Sequence, residues 1–205
     1  MAEDMHRTPE TLTEEQAARM LADMNDVIRA GEEMRKLRTE MIRVFTGFGW
    51  TQDRIARLTD MSQPAVSKQV AKHRTEEPLP PVVLDLDQPD APWLEGRLWA
   101  LAEEIAGTCE GAACARYVDE LARGRKHFTP RHVDELRRLV EEDLRLRRAE
   151  LTGAHRAAYD AISRGLDDPA APPAAPAAPA SVRRALARQI QRDRLAEPGR
   201  DPHRR

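Results

Sequence analysis

The chain has 205 residues, of which 33% are charged and 4% are aromatic, and its formal net charge is −2. This length accommodates one or two small domains with connecting segments and excludes a large multidomain enzyme. The two cysteines and the lack of a long apolar run argue against a disulfide-rich secreted scaffold and against a membrane protein. We therefore expect an all-α cytoplasmic protein with small cores of aliphatic side chains.

The first 50 residues predict a disordered start and then two helices. Residues 1–12 are polar, whereas Thr13 followed by acidic residues is typical of a helix N-cap with a favourable first turn. Apolar residues at three- and four-residue steps predict a helix up to Gly31, which we expect to end or bend it. A second helix is predicted to continue to Gly47.

The segment that follows has the pattern of two short amphipathic helices separated by a tight turn. Thr51 is placed to cap the first helix, in which Ile55 and Leu58 are expected to face inward. Ala56 is small where the second helix has to cross closely. Asp60 lies in the turn and is expected to adopt the left-handed backbone conformation, which Asp tolerates better than most residues.

The second of these short helices is predicted to begin after Ser62, whose side chain can cap it. Pro64 then falls in the first turn, where proline is tolerated. Val66 and Val70 are four residues apart and are expected to point back into the core. This arrangement leaves the polar side chains near the start of the helix facing solvent.

The run Ile-Ala-Arg-Leu, followed by Met-Ser-Gln-Pro-Ala-Val-Ser-Lys, resembles the helix-turn-helix core of bacterial DNA-binding regulators. It is similar to MarR-type and lambda-repressor-type proteins and to the fourth region of sigma factors. Many such proteins have glycine where this chain has Asp60. The resemblance implies a trihelical DNA-binding domain over residues 13–75, with residues 63–74 as the recognition helix in the major groove.

The resemblance also implies which side chains meet DNA. Residues near the start of the recognition helix reach base edges, and polar or cationic residues around them contact phosphates. The predicted base-reading residues are Gln63, Pro64, Ala65, Ser67 and Lys68. The predicted phosphate-contacting residues are Thr51, Gln52, Arg54, Arg57, Lys72 and Arg74.

The rest of the chain predicts a linker, a second helical module and a tail. Residues 76–92 are acidic and Pro-rich, as expected of a linker. Residues 93–166 predict a helical module for dimerisation or partner binding, in which one long apolar stripe starts at Thr129 and Pro130. Residues 167–205 predict an Ala/Pro-rich flexible tail with a short basic helix near residues 181–196.

Three roles stay open for this basic helix. It adds nonspecific affinity for DNA, it binds an acidic partner, or it is simply solvated. Composition does not choose among them.

Cys109, Cys114 and His127 are the nearest approach in the sequence to a metal site or a catalytic pair. The spacing of the cysteines is loose for zinc, and no fourth ligand lies close to them in the sequence. No strained nucleophile turn accompanies them either. We therefore predict no metal, no cofactor and no catalytic residue.

Together these features predict a bacterial, nucleoid-associated transcriptional regulator that binds double-stranded DNA sequence-specifically and is not an enzyme. Two-fold symmetry doubles the contacts of one recognition helix, so we expect a homodimer formed through residues 13–47 or 130–164. Two alternatives stay open. One is a sigma-like or plasmid- or phage-maintenance protein that recruits RNA polymerase or organises DNA, and the other is a helical protein–protein adaptor that works through residues 93–166.

Overall fold

The computed structural model describes residues 14–72, 86–168 and 178–196, and the regular structure of these ranges is entirely helical. The all-α prediction is therefore confirmed for these ranges. None of the described helices contains an apolar stretch of the length that a membrane span requires. The helices are α1 (Glu14–Gly47), α2 (Gln52–Thr59), α3 (Gln63–Lys72), α4 (Ala91–Thr108), α5 (Ala115–Ala122), α6 (Pro130–Leu146), α7 (Gly153–Asp167) and α8 (Ala180–Ala196).

The prediction that one helix ends at Gly31 and a second follows is wrong, because α1 runs through Gly31 as one helix of 34 residues. A glycine inside a helix costs only about 1 kcal/mol relative to alanine. The Glu, Met, Arg, Lys and Leu residues that follow Gly31 favour helix strongly enough to continue it. At 1.5 Å per residue, α1 is about 51 Å long.

The end of α1 forms a small core with α2 and α3. Four side chains are buried in this core: Ile42, Ile55, Ala56 and Val66. Phe45, Trp50, Met61 and Val70 are partly buried around them. The Trp50 ring stacks on Phe45 with centroids 4.7 Å apart, which fixes the chain where it leaves α1.

Leu58 does not face inward as the sequence predicts; it is 65% exposed. The inward face of α2 consists of Ile55, Ala56 and the half-buried Thr59. On a helix these three residues lie within 100° of one another, whereas Leu58 lies about 60° beyond Ile55 on the other side. The Thr59 hydroxyl donates to the Ile55 carbonyl at 2.8 Å, so this position accommodates a polar residue.

The C-terminal part is a bundle in which α5, α6, α7 and α8 surround α4. Several large apolar side chains of α4 are fully buried, among them Trp93, Leu98 and Ile105. α4 begins at Ala91, inside the predicted linker, because the Asp90 carboxylate accepts a hydrogen bond from the backbone N–H of Trp93 at 3.2 Å. Residues 76–85 of that linker lie outside the described residues.

The single stripe predicted from Thr129 onward is two helices. The start is as predicted, since Thr129 caps α6 and its hydroxyl accepts from the N–H of His132 at 3.3 Å. However, α6 ends at Leu146, and α7 starts only after Thr152, which exchanges capping hydrogen bonds with His155. The turn lets α7 fold back on α6 and on α4 instead of extending the helix away from the bundle.

The basic helix predicted near residues 181–196 is α8, and it is an integral part of the bundle. Val182, Ala187 and Gln191 are buried against the rest of the protein, which is not the behaviour expected of a flexible tail. α8 passes so close to α4 that a Cβ atom added at Gly96 would overlap the backbone carbonyl of Arg184. The predicted disordered residues 1–12 lie outside the described residues, as do residues 169–177 and 197–205.

The close crossing of α4 and α8 predicts that Gly96→Ala lowers the free energy of unfolding by about 1–3 kcal/mol, because the new methyl group must displace backbone atoms. Gly107→Ala is the matched control in the same helix, since nothing lies within 4 Å of its added Cβ. Alanine there should raise the free energy of unfolding by up to about 1 kcal/mol. Urea unfolding measures both, and equal stabilities of the two variants would contradict the crossing.

Candidate nucleic-acid interface

The turn between α2 and α3 has the local geometry that its sequence predicts. The Thr51 hydroxyl caps α2 by accepting from the N–H of Arg54 at 3.2 Å. Asp60 takes the left-handed conformation, with φ 52° and ψ 39°, and within the described ranges it is the non-glycine residue with positive φ. The next residue, Met61, donates its N–H to the carbonyl of Ala56 at 3.1 Å. These bonds fix the angle at which α3 leaves the turn.

α3 is anchored by its inner face and presents its first turns to solvent. Val66 is fully buried, and the Ser62 hydroxyl accepts from the N–H of Ala65 at 3.4 Å. Of the five residues predicted to read bases, Gln63, Pro64 and Lys68 are exposed. The other two, Ala65 and Ser67, are half-buried.

A contact between two glutamines joins the starts of α2 and α3. The Gln63 amide nitrogen Nε2 donates to Oε1 of Gln52 at 3.4 Å, across 11 residues of sequence. Gln63 is exposed, and because the contact uses one N–H of its amide, the carbonyl oxygen and the second N–H are left for another partner. Gln63 is predicted to read bases and Gln52 to contact phosphates, although both occupy the first position of a helix.

The cationic residues predicted to contact phosphates differ in whether a carboxylate of the same chain pairs with them. The Arg54 guanidinium lies over the Trp50 ring, 3.9 Å from its centroid, and is exposed. The Arg57 guanidinium pairs with the Asp53 carboxylate at 3.0 Å on the surface of α2, which neutralises part of its charge. Lys72 is exposed at the end of α3. The sixth predicted residue, Arg74, lies outside the described residues.

Three of the five arginines of α8 pair with carboxylates of the same chain. Arg183 contacts Asp90 at 2.6 Å and Arg184 contacts Glu95 at 2.5 Å. Arg188 makes a two-pronged contact with Glu103, with its Nε atom 2.8 Å from Oε2. These contacts hold α8 on α4 and on the residue that caps α4.

The two cysteines flank the loop between α4 and α5, which a buried carboxylate holds in place. Asp143 on α6 accepts from the backbone N–H groups of Ala113 and Cys114 at 2.7 and 3.0 Å, which holds the loop before α5. Cys109 and Cys114 are free and buried. Burial raises the pKa of both thiols, and the nearby carboxylates of Glu150 and Asp143 add to the effect. The described residues contain no group of three or more potential metal ligands.

A shallow groove of about 610 Å³ lies between α6 and α7, and its charges satisfy one another. Arg137 donates to the Ser163 hydroxyl and to the Asp167 carboxylate, each at 2.6 Å. On the facing helix Arg156 pairs with Asp160 at 3.0 Å. Since four arginines and four carboxylates line this groove, it favours neither anions nor cations.

Comparison of the chain with protein families, with curated proteins and with solved structures found no match.

The raised pKa values predict that both thiols react slowly in the native protein. At pH 8 the thiolate, which is the nucleophile, is a smaller fraction of a buried cysteine than of a free one. Ellman's reagent should therefore titrate two thiols quickly in guanidinium chloride and only slowly without it. Unfolding returns both groups to ordinary pKa values, so stability should also fall as the pH rises above about 9. Rapid, complete reaction of the native protein would contradict the packing around these cysteines.

Proposed function

We propose that α2 and α3 form a helix-turn-helix that binds double-stranded DNA, with α3 in the major groove, and that the protein is a sequence-specific transcriptional regulator of the bacterial nucleoid. The observation that carries this proposal is the exposed start of α3. Three side chains are exposed there, those of Gln63, Pro64 and Lys68, while Val66 on the opposite side of the helix is buried in the core. A rigid helix with free amide and ammonium groups at its N-terminal end suits the reading of base edges.

The chemistry of the exposed side chains favours this reading. A glutamine amide pairs with adenine by accepting from N6 and donating to N7, and a lysine ammonium donates to the O6 and N7 atoms of guanine. Gln63 retains both functions while Gln52 restrains its amide. Lys68 is five residues further, which corresponds to about 7.5 Å along α3 and to roughly two base-pair steps.

Phosphate contacts in this proposal come from the cations beside α3. α3 carries two lysines, Lys68 and Lys72, and no acidic residue. Arg54 adds an exposed charge on α2 that its contact with Trp50 holds in place. Such contacts position the protein on the duplex and supply affinity that falls with salt.

Selection of bound sequences from a random duplex pool tests the proposal. The wild-type protein should enrich one motif, and Gln63→Ala should relax one base position of it, at a cost of about 1–3 kcal/mol on the preferred site. Gln189→Ala is the matched control, because this glutamine is also exposed but lies on α8, where its amide donates a hydrogen bond to Asp193. A wild-type protein that binds no duplex, or a motif unchanged by Gln63→Ala/Lys68→Ala, would contradict the assignment of α3.

Salt dependence separates phosphate contacts from base contacts. Arg54→Ala should weaken all duplexes about equally and reduce the slope of log affinity against log salt by about one. Arg57→Ala should change the slope less, because Asp53 already neutralises this arginine. Arg156→Ala on α7 serves as the distant control and should leave the slope unchanged. A loss confined to the preferred sequence would show that Arg54 reads bases instead.

A further inference from the structure

α1 crosses α3 instead of running beside it. Two side chains from the described part of α1, Ile42 and Phe45, join the core in which Val66 of α3 is fully buried, and they lie three residues apart, within one turn. The preceding residues Leu37 and Met41 pack with the start of α8 instead. Because the contact with α3 occupies a single turn, the part of α1 before Ile42 extends past one edge of α3.

Two arginines of α1 lie beyond that edge, on the side of the helix that carries Ile42. At about 100° per residue, Arg35 is about 20° from the direction of Ile42 and Arg38 is about 40° from it. They precede Ile42 by about 10 Å and about 6 Å along the helix axis. Both are exposed. Their guanidinium groups therefore project toward the side of α1 on which α3 lies.

This side of α1 is positively charged. The residues from 31 to 46 that lie within about 60° of the direction of Ile42 include two cations and no carboxylate. They are Gly31, Arg35, Arg38, Thr39, Ile42, Phe45 and Thr46. On the opposite side Glu40 accepts a hydrogen bond from the Ser181 hydroxyl at 2.9 Å. The side of α1 next to α3 therefore suits an anionic partner.

Arg54 lies on the other side of the crossing. Its guanidinium is over the Trp50 ring, and that ring stacks on Phe45, which follows Ile42 in α1. Arg38 comes seven residues before Phe45, which corresponds to about 10 Å along α1. The major groove of B-DNA is about 12 Å wide, and phosphates line both of its edges. The two groups of cations are thus spaced like the two edges of the groove.

We propose that Arg35 and Arg38 contact the phosphates on one edge of the major groove that α3 enters, while Arg54 contacts those on the opposite edge. This inference rests on the proposed binding of DNA by α3 and adds a second group of phosphate-contacting residues to it. Contacts on both edges fix how α3 lies across the groove, and they carry no sequence information themselves.

The depth of the groove agrees with this arrangement. A helix has a radius of about 5 Å and packs about 9 Å from its neighbour, measured between axes. If α3 rests on the floor of the groove, the side of α1 that faces α3 lies about 9 Å above that floor. The groove is about 8.5 Å deep, so the two arginines are at the level of the phosphates.

A salt titration of the full chain with a random-sequence duplex of about 30 base pairs, or three helical turns, tests the contacts. Arg35→Ala and Arg38→Ala should each reduce the slope of log affinity against log salt by about one, and the double variant should reduce it by about two. The factor by which affinity falls between about 50 and 200 mM salt should then be about tenfold smaller for the double variant than for the wild type.

Lys36→Ala is the matched control for these variants. Lys36 is exposed, has the same charge and is adjacent to Arg35, but it points about 120° away from the direction of Ile42. It should leave the slope unchanged, and circular dichroism shows that each variant is folded. A loss at Lys36 equal to the loss at either arginine would overturn the proposal. So would an unchanged slope in the double variant.

The same titration separates this inference from the function on which it rests. If Arg54→Ala lowers the slope and the Arg35→Ala/Arg38→Ala double variant does not, α3 still binds DNA but α1 does not contact phosphates. A wild-type protein that binds no duplex would overturn both.

Uncharged methylphosphonates, placed one at a time in the selected duplex, test which edge each arginine contacts. Neutral phosphates on one edge should weaken the wild type but have little further effect on Arg38→Ala, because that contact is already lost. Those on the other edge should have little further effect on Arg54→Ala. If the two variants become insensitive to the same phosphates, both arginines contact one edge and the proposed arrangement is overturned.

Discussion

α1 packs on α2 and α3 with one face and on the start of α8 with the opposite face, and it thereby joins the two packed parts of the described structure. Ile42 lies in the core of α2 and α3, whereas Val44, two residues later, lies against Ala178 and Val182 at the start of α8. Residues two apart on a helix differ in direction by about 200° around its axis, so opposite faces of one helix hold the α2–α3 core and the start of α8. The Ser181 hydroxyl, which donates to the Glu40 carboxylate at 2.9 Å, adds a polar contact at the same junction. The orientation of the α3 surface is therefore coupled to the C-terminal bundle through a single element.

The distribution of charge explains how a protein with a net charge of −2 keeps cations available near α3. Three arginines of α8 pair with Asp90, Glu95 and Glu103, and one of them, Arg188, also lies over the Trp99 ring, 4.1 Å from its centroid. These pairs are partly buried, so they orient α8 on α4 more than surface pairs would. In contrast, the lysines of α3 have no acidic neighbour in their own helix. Basic residues therefore have two different roles in this protein. Those of α8 hold helices together, whereas those of α3 leave the surface around it positively charged.

Local signals in the sequence predicted the local geometry well. The caps Thr51 and Thr129 and the left-handed Asp60 depend on short-range hydrogen bonds and backbone preferences, and these are readable over four or five residues. The buried positions of α2 and α3 followed from helical periodicity, with the exception of Leu58. The prediction for Leu58 was wrong because Ile55 and Leu58 are three residues apart and can share one face of the helix. The sequence does not show which side of Ile55 the core lies on.

Features that depend on contacts between distant residues could not be predicted in this way. The basic composition of α8 looked like a solvated tail because its partners, from Asp90 to Glu103, lie 85 to 93 residues earlier in the chain. The buried Arg97 is similar: its Nε atom donates to Gln191 at 2.9 Å and another nitrogen donates to the Leu86 carbonyl. The proposed site itself rests on a motif of about 22 residues, and its amide contact between Gln52 and Gln63 appears only when both helices are in place.

Mapping of duplex DNA onto the folded protein by amide chemical shifts tests most directly whether α3 is a DNA-binding surface. On addition of the selected duplex, or of a random duplex at low salt, resonances of residues 51–72 should move, with the largest changes at the start of α3. Resonances of α5, α6 and α7 should stay in place. Shifts centred on the groove between α6 and α7, or no shifts at any duplex concentration, would contradict the proposed function.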